Sequence, residues 1–266
     1  MILIFGGTTE GRTAVKVLDE AGSPYYYSTR GNAQQIECKH GTRVAGGMDC
    51  DAMTEFCSTH NIRLIIDAAH PFASLLHTTV ATVSEQLDLP VIRLERRYPP
   101  RDESLVWCDT FDDAIDYLES HEIRDLLALS GVQTITKLQR YWKKHPCHFR
   151  VLDRDDSREI ARRAGFPEKN LLFWHEGQDE LALFRQLHPG AILTKESGES
   201  GYYEEKISAA RQLGIPVIVI RRPPLPDSFY TVNGEHGLRY RVERLLPGFY
   251  PLRSGFTTGS CATAAT

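Results

Sequence analysis

Eight short apolar runs recur along the chain with helical patterns between them, at residues 2–5, 25–28, 64–67 and 91–94, then at 126–129, 149–152, 191–194 and 217–220. They are mostly unbroken Val, Ile and Leu rather than apolar residues alternating with polar ones, as expected of strands covered on both faces. Strands that alternate with helices build parallel sheets through crossover connections, so the chain is expected to be α/β with parallel sheets. The helix stops agree. Gly22 follows the first helix, Asp88-Leu89-Pro90 follows a helix over about 73–87, and Gly214-Ile215-Pro216 follows one over about 203–213. The sequences Leu87-Asp88-Leu89-Pro90-Val91 and Leu213-Gly214-Ile215-Pro216-Val217 use the same helix-to-strand device, which suggests two similar halves.

A length of 266 residues accommodates one large domain or two of about 100 to 150 residues. The polar, proline-rich stretch from Arg96 to Asp102 is the best boundary, which gives an N-terminal nucleotide-binding half over 1–100 and a C-terminal α/β half over 101–248. A ligand between two such halves would meet the carboxyl ends of both sheets, so a cofactor and substrate cleft is expected there. A net charge of -4 offers no basic footprint for nucleic acid. The six cysteines include no C-x-x-C pair, so they read as free thiols rather than zinc ligands, and no protein-bound metal is expected. No segment approaches the ~20 apolar residues of a membrane helix, and Met1 leads straight into a strand with no room for a signal peptide. No membrane association and a cytoplasmic location are expected.

Four segments carry candidate chemistry. The first strand empties into Gly6-Gly7-Thr8-Thr9-Glu10-Gly11-Arg12 and then a helix, which is where helix amides and the helix dipole would meet a phosphate. The glycines depart from the G-x-G-x-x-G spacing, and an ordinary strand-to-helix turn is the alternative. Ser28-Thr29-Arg30 ends the second strand, where an adenosine ribose would lie. Hydroxyls and a guanidinium there favour a 2′-phosphate and therefore NADPH, with NADH still possible and a solvated arginine the plain alternative. After the third run come His70 and Pro71, with Pro71 placed in the first helical turn and His70 either binding cofactor or substrate or capping the helix. The loop from Thr194 to Tyr203 contains Lys195, Ser197 and Gly198, which suit an anionic ligand, or else form a long connection with a capping serine. Lys195 is the candidate catalytic residue, as a proton donor or, preferably, as a binding charge. Arginines at 93, 96, 97, 101, 221 and 222 could receive a polycarboxylate or simply be solvated. Arg96, Arg97, Arg221 and the loop residue Tyr202 are the substrate-binding candidates.

Taken together, residues 6–12, Asp67-Ala68-Ala69-His70-Pro71-Phe72-Ala73, residues 194–198 and the run from Ile215 to Pro223 resemble the precorrin-6A reductase family of corrin biosynthesis, including the cobalt-precorrin-6A reductases. The resemblance implies two Rossmann-like halves, a nicotinamide cofactor in the cleft and reduction of one macrocycle double bond in precorrin-6A or cobalt-precorrin-6A, without flavin or protein-held metal. Residues 254–265 resemble the opening of cobalt-precorrin-5B C1-methyltransferase, so 249–266 reads as a linker and the start of a fused methyltransferase domain, with a small-residue tail as the alternative. Two other functions remain in view. One is a short-chain-type carbonyl reductase, for which Tyr202 and Lys206 have the Tyr-x-x-x-Lys spacing, and the other is an NADPH-binding regulatory module.

Overall fold

The computed structural model describes residues 1–31 and 34–251. The described residues form two compact units, 1–96 with 224–251, and Arg97–Pro223. The first opens with β1 (Ile2–Phe5), α1 (Thr9–Asp19), β2 (Tyr25–Thr29), β3 (Gly41–Ala45), α2 (Cys50–Thr59), β4 (Leu64–Asp67), α3 (Ser74–Gln86) and β5 (Val91–Glu95). The second contains β6 (Val106–Cys108), α4 (Phe111–Ser120), β7 (Leu126–Ala128), α5 (Gln139–Trp142), β8 (Cys147–Leu152), α6 (Asp155–Arg163), β9 (Leu171–Trp174), α7 (Glu180–Leu187), β10 (Ala191–Lys195), α8 (Tyr203–Gln212) and β11 (Val217–Ile220). The chain then returns to the first unit as β12 (Tyr230–Asn233) and α9 (Gly234–Leu245).

Each unit holds one six-stranded sheet, in the orders β12-β5-β4-β1-β2-β3 and β6-β11-β10-β7-β8-β9, and every pairing is parallel. Both follow the doubly wound order, with the switch point between β1 and β4 in one sheet and between β7 and β10 in the other. The outermost position beside the fifth strand is filled in each case by a strand from elsewhere in the chain. β12 pairs with β5 after the whole second unit has intervened, and β6 pairs with β11 although it precedes β7.

This return corrects the expected boundary, since 101–248 is not one half: residues 224–248 belong with the first unit. The reason is burial. Leu238, Val242 and Leu246 at α9 join Ile2, Ile4, Val17 and Leu18 in one core layer. The alternation along β1 supplies the opposite layer, where Leu3 and Phe5 meet Met53, Cys57, Val80 and Val83 from α2 and α3. In the second unit Leu127, Ile192 and Val219 pack on Phe184, Ile207 and Ala210 of α7 and α8. Among the described residues no helix is long and apolar enough to cross a membrane.

At the end of β4, Asp67 is fully buried between the His77 ring and the Arg93 guanidinium. Its Oδ2 lies 2.6 Å from His77 Nδ1 and its Oδ1 2.9 Å from an Arg93 guanidinium nitrogen, and it accepts the Ala69 N–H at 3.0 Å. Arg93, expected within a ligand-facing arginine cluster, is instead 0% exposed and also donates to the Ala69 carbonyl and to Glu95. Burial pushes the Asp67 carboxyl up, but the His77 hydrogen bond and the Arg93 charge outweigh it, so its pKa lies below the ordinary value. Removing one partner of such a pair leaves the other charged and buried, so Asp67→Asn should lose about 3–5 kcal/mol in urea unfolding. A depressed carboxylate contributes stability above its unfolded pKa and loses it as pH falls through the folded one. The gap between wild type and Asp67→Asn should therefore hold from neutrality to about pH 4 and narrow only below it.

Candidate functional site

The turn after β1 is organised by a tyrosine from the neighbouring strand. Gly6 N–H donates to the Ser28 carbonyl at 2.9 Å, and Gly7 N–H donates to the Tyr27 hydroxyl at 3.0 Å. That hydroxyl donates in turn to Gln34 Oε1 at 2.6 Å, while Gln34 Nε2 donates to the Thr8 carbonyl. Thr8 caps α1, taking the Gly11 N–H on its hydroxyl oxygen and donating to the Ala68 carbonyl at 2.7 Å.

Consequently the glycines do not all serve as expected. A Cβ on Gly6 would fall 2.2 Å from the Tyr27 hydroxyl oxygen, and one on Gly11 would fall 2.7 Å from the same atom, so both positions are empty to let Tyr27 pass beneath the turn. Gly7 alone has a φ of +94° and an open face, with nothing within 4 Å of where a Cβ would be. Its own amide is taken, but the Thr8 and Thr9 amides at the start of α1 make no hydrogen bond among the described residues. The donors suited to an anion are therefore Thr8 and Thr9, beside the bare face of Gly7. Glu10 is buried and ion-paired with Arg96 at 3.1 Å, and Arg12 donates to the Gln35 carbonyl.

At the end of β2, Ser28 and Thr29 are buried, Thr29 donates to the Gly31 carbonyl, and Arg30 is exposed. Pro71 is not in the first helical turn, because α3 begins three residues later at Ser74. His70 and Pro71 lie instead in the preceding turn, where His70 Nδ1 accepts the Phe72 N–H at 3.2 Å, which leaves the ring hydrogen on Nε2 when the imidazole is neutral. The His70 carbonyl is 3.2 Å from His77 Nε2, so the buried Asp67 network also holds this turn.

In the second unit Lys195 closes β10, half-buried, and the loop beyond it bends through Gly198 (φ +66°) to Tyr202 (φ +53°), whose ring lies 5.6 Å from that of Trp174. Glu196 is buried and gathers the arginines. It accepts from Arg101 at 3.0 Å and from the guanidinium and backbone N–H of Arg222 at 2.9 and 3.0 Å. Arg221 pairs with Asp109 at 2.9 Å, and Arg222 covers the Tyr98 ring. Of the four substrate candidates, Tyr202 and Arg97 are exposed and Arg221 is half-buried, whereas Arg96 belongs to the first unit and is buried against Glu10. The Tyr202–Lys206 spacing makes no catalytic pair, since the Lys206 ammonium is buried and donates to the Gly201 carbonyl at 2.7 Å.

Residues 1–237 match the precorrin-6x reductase CbiJ/CobK family. The chain belongs to this family. A precorrin-6A reductase of Rhodococcus erythropolis is 32% identical over 247 residues, spanning 89% of this chain and 94% of its own length. A cobalt-precorrin-6A reductase of Methanothermobacter thermautotrophicus is 29% identical, over 84% of this chain and 76% of that protein. The solved structure of CobK precorrin-6A reductase superposes with a TM-score of 0.75 at 21% identity, covering 92% of this chain and 96% of that one, and so shares the fold. The resemblance of residues 254–265 to a methyltransferase start lies outside the described residues.

Within this reductase fold the sequence reading missed several positions. Ser130-Gly131 follows β7 as Gly6-Gly7 follows β1, each beside its sheet's switch point. Gly131 has a φ of +88° and the Ser130 hydroxyl lies 2.6 Å from that of Thr134. The signal was present as an apolar run ending in Ser-Gly. Tyr27 and Gln34 carried no such signal, because their role comes from strand neighbours. We expect Gly6→Ala to destabilise the fold by about 1–3 kcal/mol through overpacking against Tyr27. Tyr27→Ala opens the space that the new methyl needs, so the double variant should lose less than the sum of the single losses in urea denaturation. Strict additivity would show that Tyr27 does not set the turn.

Proposed function

We propose that this protein reduces a double bond of the precorrin-6A macrocycle with NADPH, and that cobalt-precorrin-6A, giving cobalt-precorrin-6B, is its natural substrate. The observation that carries the reading is the pair of amides at Thr8 and Thr9 beside the open face of Gly7, at the switch point of a doubly wound sheet, in a chain of the precorrin-6x reductase family. The relatives named as precorrin-6A and cobalt-precorrin-6A reductases support the substrate class, and the tail at 254–265 favours the cobalt form.

These residues fit a dinucleotide. The Thr8 and Thr9 amides and the positive end of α1 suit its pyrophosphate, and Arg30 suits a ribose 2′-phosphate. Bound there, the reduced nicotinamide supplies the hydride. The residues of the chain have the work of holding and orienting. Arg97, Arg221 and Tyr202 are suited to the acetate and propionate arms and the flat face of a tetrapyrrole, and the loop from Lys195 to Gly198 to a further anionic contact or the nicotinamide end. Lys195 acts mainly as a binding charge.

The experiment is an absorbance assay of nicotinamide oxidation with precorrin-6A and cobalt-precorrin-6A, each with NADH and NADPH. Oxidation of NADPH by the cobalt substrate is expected, and no oxidation with either tetrapyrrole would leave a protein that senses the cofactor without turnover. In the same assay Arg30→Ala should weaken NADPH more than NADH, and an equal loss for both would remove the 2′-phosphate role. Lys195→Ala should raise KM for one ligand with a modest fall in kcat. A fall in kcat of ~100-fold at saturating ligands would make Lys195 the proton donor instead.

A further inference from the structure

Lys206 is the buried lysine left over from the Tyr-x-x-x-Lys spacing, and its surroundings give it a different task. It sits on α8 with 8% of its surface exposed, and its ammonium donates to the Gly201 carbonyl at 2.7 Å. The Ser197 hydroxyl approaches the same carbonyl at 3.4 Å. That carbonyl belongs to the peptide unit that leads into Tyr202, and Tyr202 is held at φ +53°, ψ +43°. Such a backbone is unfavourable for a bulky L-residue and persists only where its surroundings impose it. Fixing the 201–202 peptide does so, and the Tyr202 side chain, 44% exposed, is then set beside Trp174.

The geometry points to Lys206 as a positioning residue: its ammonium clamps the Gly201–Tyr202 peptide and so presents Tyr202 to the substrate. The presentation half rests on the function proposed above, whereas the clamp does not. Four charged groups act on the ammonium, namely Arg150 on β8, Glu180 on α7, Lys195 on β10 and Glu205 on α8 itself. Arg150 is already neutralised by a two-pronged pair with Glu180 at 2.6 and 2.7 Å, which leaves Lys206 to the carbonyl. Burial, reinforced by the charge of Arg150, lowers the Lys206 pKa to about 8. The clamp is thus a charge-assisted hydrogen bond at neutral pH and an ordinary one well above it. The difference of about 1 kcal/mol between the two corresponds to about fivefold in an equilibrium.

The sign of the stability effect runs the other way. A lysine whose folded pKa is lowered binds fewer protons folded than unfolded between about pH 8 and its ordinary value, so its contribution to folding rises with pH across that window. Loosening of the loop and loss of global stability are therefore separable.

The test follows the Tyr202 backbone amide by NMR from pH 6.5 to 9.5, with substrate KM measured over the same range. In the wild type the resonance should move with a midpoint near 8 and KM should rise about fivefold. In Lys206→Met the resonance should be flat, with KM already raised at pH 7. Over the same range the urea stability of wild type relative to Lys206→Met should move in favour of the wild type. A Tyr202 amide that does not titrate in the wild type overturns the clamp, and if the variant fails to fold the wild-type titration alone decides. A clean titration with KM unchanged in both proteins overturns the presentation of Tyr202 to substrate. Absence of any tetrapyrrole reduction alongside a clean titration would sink the proposed function and leave the clamp standing.

Discussion

Every strand pairing in both sheets is parallel, and the other features of the molecule follow from that constraint. A parallel sheet needs a crossover after each strand, the crossovers cover both faces, and the inner strands become largely apolar. The groups proposed to meet a ligand then fall at the strand ends. In the first unit these are the glycine turn after β1, Arg30 after β2 and the 67–73 segment after β4, and in the second Ser130-Gly131 after β7, the 195–202 loop after β10 and Arg221 after β11.

Holding irregular backbone at those strand ends requires internal partners, and the two units use different ones. The first relies on a tyrosine and on buried ions: Tyr27 and Gln34 tie the glycine turn down, while Asp67, His77 and Arg93 hold the segment that carries His70. The second relies on Glu196, which collects Arg101 and Arg222, and on Lys206, which holds the Gly201 carbonyl. Asp67 and Glu196, which have no place in an apolar layer, are each satisfied by several partners at once, which is the condition under which a buried charge is tolerated.

The four strands absent from the sequence reading are β3, β6, β9 and β12, and they are the four edges of the two sheets. An edge strand buries less of itself, so it needs no unbroken apolar run, although β9 has one in Leu171–Trp174 and was missed all the same. Gly41–Ala45 and Tyr230–Asn233 are largely exposed, and Val106–Cys108 is only three residues long. The inner eight were legible because burial on both faces writes itself into composition, within a residue or two at each end. The helix over 203–213 was legible for a related reason, since Gly214 and Pro216 punctuate its end.

The order of the chain determines by itself that this protein is α/β with parallel sheets, that a glycine turn follows its first strand and that its motifs are those of the precorrin-6x reductases, because these properties reside in contiguous residues. Which arginines are available to a ligand was decided only by the tertiary structure. Arg96 looks no different in sequence from its neighbour Arg97, yet Arg96 faces Glu10 in the interior, as Arg93 faces Asp67 and Glu95, while Arg97 is exposed. The return of β12 and α9 to the first unit is of the same kind. Pairing between residues 92 and 230 is a long-range contact whose gain is the burial of Leu238 and Val242, and no local pattern records which sheet will bury them.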